Sequence, residues 1–141
     1  MSERIPERNE LRECDQWAIS DLYRSDDAWE RDFAAASEKI RQAGTFRGKL
    51  GADAGTLLSY LRLCDELGLL LENLLNYAQR RSDEDTRVSG YQAMASRGMR
   101  IYVEAETALS FETPEILAIP AEAVDADYLA WLEAATTASS A

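Results

Sequence analysis

The sequence predicts an all-α protein: an antiparallel helical bundle of three main helices, with short C-terminal helices and an N-terminal arm. Three observations carry this. Apolar residues fill 46% of the 141 positions, and only three prolines interrupt them. Over three long stretches they recur at spacings of three and four, the repeat of one helix face. Two of these stretches, at Ser25 and Ser82, open on a Ser followed by acids, short polar side chains that accept hydrogen bonds from the free N–H groups of a helix start. A chain of this length buries about 70% of the surface its unfolded form exposes, enough for one core.

Residues 1–24 read as the arm. Up to Asn9 they are polar and irregular, and Leu11, Trp17, Ile19, Leu22 and Tyr23 fit neither the helical nor the strand period. The spacing predicts an extended or turned segment that packs its aromatics onto the rest. Residues 25–135 form the helical domain. Ser25-Asp26-Asp27 combines a cap with two carboxylates at the positive helix end. A helix then runs to about Ala43, with Trp29, Phe33, Ala36 and Ile40 as its buried stripe. Gly44 suits a left-handed stop, and Phe46 and Leu50 pin the loop 45–52 to the core.

From Asp53 to about Arg81 the face of Leu57, Tyr60, Leu61, Cys64, Leu67 and Leu71, continuing to Ala78, is joined by leucines around the side. This helix is the central element, and Gly68 interrupts it at a propensity cost of about 1 kcal/mol. Ser82-Asp83-Glu84-Asp85 reads as a fresh N-cap for a helix to about Ser110. Its main stripe is Val88, Tyr91, Ala95, Met99, Tyr102 and Leu109. Met94, Gly98, Ile101, Ala105 and Ala108 lie on the neighbouring face, and their small members allow a close helix approach. Thr113-Pro114-Glu115 opens one or two turns with Pro at the first helical position. A last amphipathic helix is expected over about 125–135, with Tyr128, Leu129, Trp131 and Leu132. Residues 136–141 are a frayed tail.

Composition narrows the function. The chain has no histidine, which excludes from it a His–Glu zinc protease site, Ser–His and Cys–His nucleophile pairs, and Glu-x-x-His di-iron bundles. Fifteen Lys and Arg against 26 Asp and Glu leave a net charge of −11, which repels phosphate backbones and anionic lipid, so neither nucleic acid nor membrane is an expected partner. Cys14 and Cys64 have neither metal nor disulfide-framework spacing. With a polar start and no apolar run as long as a membrane span, they predict a reduced, cytoplasmic protein.

No catalytic or metal-binding residue emerges. Asp83-Glu84-Asp85 and Glu104 with Glu106 lack the alternating oxygen ligands and central glycine of a calcium loop, so capping and a solvated face are the better reading. Cys64, on an apolar face with no imidazole to activate it, reads as core. Tyr60, Tyr77, Tyr91 and Tyr102 could line a pocket, but half-buried core is the ordinary role. Arg80, Arg81, Arg97 and Arg100 could form a cationic spot, with salt pairing the ordinary outcome.

The segment Gln16-Trp17-Ala18-Ile19-Ser20-Asp21-Leu22-Tyr23, followed by Ser25-Asp26-Asp27-Ala28-Trp29-Glu30, resembles the start of the oligoendopeptidase F family of zinc metallopeptidases. The likeness continues through Phe46-Arg47-Gly48-Lys49-Leu50, Leu74-Leu75-Asn76-Tyr77-Ala78, the acidic step Ser82 to Asp85, and Phe111-Glu112-Thr113-Pro114-Glu115-Ile116-Leu117, spanning about residues 16–120. Ala18 and Ile19 depart from the family's usual Asp and Leu. The resemblance implies the N-terminal helical domain of an enzyme that cuts oligopeptides in a cleft this domain helps to wall. The family's zinc is held by a His-Glu-x-x-His helix and a further Glu downstream, so no catalytic residue maps here and this chain needs no cofactor of its own. Implied partners are the downstream catalytic domain and, through it, oligopeptide substrates. A stand-alone acidic interaction module is the alternative, and an isolated copy is expected to form a homodimer through apolar surface that its neighbour would cover.

Overall fold

In the computed structural model, residues 10–123 are described. The expected helices at 125–135 and the tail at 136–141 lie outside them. Two 3-10 turns, Glu13–Asp15 and Ile19–Asp21, precede four helices: α1 (Asp26–Gly44), α2 (Ala54–Glu84), α3 (Ser89–Ala108) and the short α4 (Glu112–Leu117). Among the described residues there is no strand.

Side-chain chemistry sets the helix starts. Ser25 Oγ accepts from the Ala28 amide at 3.2 Å, and Asp53 accepts from the Thr56 amide and hydroxyl, both at 2.8 Å. The Ser25 cap stands where the sequence predicts it, and the Asp53 cap is found at the start of the apolar stretch. At 31 residues, α2 extends about 46 Å at 1.5 Å per residue, and the other helices pack along it. Trp29 and Asp26 of α1 meet Leu74 and Tyr77 of α2, while Lys39 meets Glu66. Hence α1 and α2 run antiparallel. So do α2 and α3: a Cβ on Gly98 would meet Ala78 Cβ at 3.6 Å and the Leu75 Cα at 3.7 Å, while Ala105 joins Leu67 further down.

The main core lies among the three helices, with Trp29, Leu74 and Ala36 fully buried and Ile101 nearly so. Ile19 and Tyr23 of the arm enter it, which is the aromatic packing expected of that segment. A second cluster of Ala43, Leu50, Tyr60 and Phe111 sits under the α1–α2 loop, with Phe46 and Cys64 against it. Phe46 and Leu50 thus pin the loop as predicted.

Three local expectations are corrected. α2 does not stop at Arg81 but continues to Glu84, so Ser82-Asp83-Glu84 is helical and caps nothing. The carboxylates are drawn back along α2 instead: Asp83 takes Gln79 at 3.0 Å and Arg80 at 3.4 Å, and Glu84 takes Arg81 at 3.4 Å. Asp85 closes the turn by accepting from the Arg87 amide at 2.9 Å, and α3 starts at Ser89 without a side-chain cap. Gly44 is not a left-handed stop; the positive φ, 76°, falls at Gly48 in the loop. Pro114 is the third residue of α4 rather than the first, still inside the turn whose N–H groups have no intrahelical acceptor. On α3 the close helix approach expected of the set with small residues is what forms: Met94, Gly98, Ile101 and Ala105 are buried, while Met99 of the neighbouring stripe is 51% exposed.

Candidate functional site

Two polar constellations join the elements, one at each end of the bundle. At the end where α1 begins, Arg81 binds Asp26 at 3.1 Å and lies over the Tyr91 ring at 4.2 Å. Tyr77 donates its hydroxyl proton to the same Asp26 at 2.7 Å, and Tyr23 meets Tyr77 edge-on at 5.3 Å. A cleft of about 350 Å³ opens there, lined among others by Tyr23, Ser25, Asp26, Arg81 and Glu84. Burial pushes the Asp26 carboxyl up, but the hydrogen bonds of Arg81 and Tyr77 outweigh it and hold it below the usual range. Burial, with Asp26 beside it, pushes the Tyr77 hydroxyl up to about 12. Burial and then Asp32 raise the Tyr23 hydroxyl. The shifts hold Arg81 and Asp26 charged and the Tyr23 and Tyr77 hydroxyls neutral. That arrangement ties three helices together, Asp26 of α1 to Tyr77 and Arg81 of α2 and Tyr91 of α3.

The residues weighed in the sequence do not converge. Arg80 lies over Trp17 at 4.6 Å. Arg97 pairs with Glu30 at 2.7 Å and covers Phe33 at 4.5 Å, and Arg100 is exposed on α3. There is no shared cationic spot, and three of the four arginines have the ordinary role of salt pairing. Tyr60 and Tyr77 are core residues at opposite ends, Tyr91 is half-buried beneath Arg81, and Tyr102 is 38% exposed. Cys64 is half-buried, and desolvation raises its thiol, which keeps it protonated. Glu104 and Glu106 are exposed on α3. Among the described residues no group of three His, Cys, Asp or Glu could hold a metal. Among the described residues the donor set does not fit a His-Glu-x-x-His zinc site, since the chain lacks histidine and the acids of the 82–85 step are bound by arginines. Tyr23 was seen in the sequence only as an arm aromatic; its place beside Tyr77 depends on the turn at Ile19–Asp21, which no periodicity announces.

At the other end, two segments more than sixty residues apart interlock. The Glu115 carboxylate accepts from the Gly48 amide at 2.6 Å and the Leu50 amide at 3.4 Å. Arg47 donates to the Ala108 carbonyl at 3.2 Å and lies over Phe111 at 4.8 Å. Tyr60 stands between Phe46 and Phe111, at ring distances of 5.6 and 5.7 Å, and donates to Glu112 at 2.8 Å. Burial, then Cys64 and Glu112, raise that hydroxyl. The stretches 46–50 and 111–117 are therefore one structural unit. These same stretches carry the resemblance.

The chain is homologous to oligoendopeptidase F-type peptidases over most of its length. It is 36% identical over 115 residues to oligopeptidase PepF of Bacillus subtilis, a match of 82% of this chain and 17% of that protein. With the group B oligopeptidase PepB of Streptococcus agalactiae it shares 27% over 125 residues, 89% of this chain and 20% of the relative. With the chromosomal oligoendopeptidase F of Lactococcus lactis it shares 28% over 114 residues, 80% of this chain and 19% of the relative. The chain thus spans about a fifth of the length of the curated relatives it matches. No family model matches it, and no solved structure does. No described helix is long and apolar enough to cross a membrane.

Proposed function

We propose that this chain is the non-catalytic N-terminal helical domain of an oligoendopeptidase F-type zinc peptidase, and that in the whole enzyme it helps to wall the cleft in which short oligopeptides are cut. One observation carries the reading: similarity covers 82% of the chain but 17% of the relative, in a stretch without the imidazoles that a His-Glu-x-x-His zinc site requires. The interlocked loops support it, because they make the shared segments a scaffold rather than a reaction centre. Zinc and the reacting groups would come from the rest of the enzyme, and the setting we infer is cytoplasmic, in keeping with two free cysteines.

A graft tests this. Replacing the matched stretch of the Bacillus subtilis oligopeptidase PepF by this chain should give a protein that hydrolyses a fluorogenic oligopeptide, whereas a folded but inactive graft contradicts the reading.

The second reading is a stand-alone acidic module that forms homodimers. Exposed Leu69, Met99 and Val103 favour it. A net charge of −11 on each copy opposes it, since like charges brought together repel. Light scattering at tens of micromolar decides: a dimer supports this second reading, and a monomer contradicts it.

A further inference from the structure

α1 covers one side of the α2–α3 pair, as the contacts of Trp29 with the Leu74 carbonyl, Lys39 with Glu66 and Glu30 with Arg97 mark. Turning around each helix by its 3.6-residue repeat from those positions brings Leu61 and Leu69 of α2, and Met99, Tyr102 and Val103 of α3, to the opposite side. Leu69 is 63% exposed, Met99 51% and Val103 54%, and α4 packs at the far loop rather than over them. The charged residues between the two strips, Asp65, Glu72 and Glu106, are all carboxylates, with Arg62 at the outer edge.

Resting on the function proposed above, we infer that this side of the α2–α3 pair docks onto the remainder of an oligopeptidase F-type chain, through an apolar patch bordered by Lys and Arg. The relatives supply the occupant, because about four-fifths of their length lies outside the match. Charge selects its chemistry: the carboxylates Asp65, Glu72 and Glu106 between the strips disfavour another acidic copy and favour Lys and Arg opposite them.

The PepF graft tests this with Met99→Glu and Val103→Glu, against Leu117→Glu as a control at a residue that is 79% exposed on α4. In the isolated chain all three should leave the unfolding midpoint nearly unchanged. In the graft, the two α3 variants should speed release of this domain by limited proteolysis about tenfold or more, while the control does not. Face variants that behave as the control overturn the docking surface, even if the graft hydrolyses peptide. If the graft is inactive but the face variants still speed release, the docking stands and the enzymatic reading falls. Should the face variants instead abolish a dimer of the isolated chain, the face belongs to a second copy and the inference fails.

Discussion

Trp29 joins α1 to α2 by shape and by one directional bond. Its ring is fully buried, and its indole N–H donates to the Leu74 carbonyl at 2.8 Å. Trp29→Ala should cost about 3–5 kcal/mol, the range for removing a buried aromatic, read as a fall in the urea midpoint at unchanged slope. This residue was legible in the sequence, since it begins a stripe spaced four, three and four. Asp26 was legible only as a helix-start acid. Its bonds to Arg81 and Tyr77 come from α2 residues more than fifty positions away, which a local pattern cannot show.

A pH dependence follows from that carboxylate. Its folded pKa is held below the ordinary value, so it stabilises the fold above the unfolded pKa, near 3.9. That contribution is lost as pH falls through the folded value. The pair is partly exposed, with Asp26 at 42%, so solvent screening limits the effect to under about 1 kcal/mol. Between pH 5 and pH 2.5 the thermal midpoint of the native chain should fall more steeply than that of Asp26→Asn. Parallel curves would show that the bond to Arg81 contributes nothing.

At the scale of elements, the capped start of α1 was readable because Ser25 acts within three residues of its target. The boundary between α2 and α3 was not. Ser82 to Asp85 has the composition of a cap, but Gln79, Arg80 and Arg81 stand one turn earlier and hold its acids within α2. The close-packing face of α3 was legible through its small residues. Two apolar stripes lie side by side, and close approach to α2 selects the one with small residues rather than the larger one. At Gly98 a Cβ would make ordinary contacts at 3.6 to 3.8 Å, so a larger side chain has no room against α2, and Gly98→Leu should destabilise by about 1–3 kcal/mol through overpacking. Gly68 on α2 is the contrast, since nothing stands within 4 Å of its would-be Cβ. Gly68→Ala should stabilise by up to about 1 kcal/mol, raising the midpoint in calorimetry. A lowered midpoint would mean that α2 needs glycine there.

For the whole molecule, carboxylates join the fold at both ends, Asp26 through Arg81 and Tyr77, and Glu115 through the Gly48 and Leu50 amides. The resemblance was legible as scattered short segments, and the reason for their order emerges only in three dimensions, where Glu115 holds the Gly48 and Leu50 amides. Glu115→Gln keeps the acceptor but removes the charge, and should cost less than Glu115→Ala, which leaves both amides without this partner. Equal losses in thermal unfolding would contradict that role. The docking face was not legible, because exposure on α2 and α3 depends on which side α1 takes.

The central claim, that this fold completes a peptidase without carrying its chemistry, is tested most directly by fluorogenic oligopeptide hydrolysis, measured with and without Zn²⁺ for the isolated chain and for the PepF graft. The account predicts zinc-dependent turnover by the graft and none by the chain alone. Zinc-dependent turnover by the isolated chain, or a folded graft that fails to hydrolyse peptide with zinc present, would contradict it.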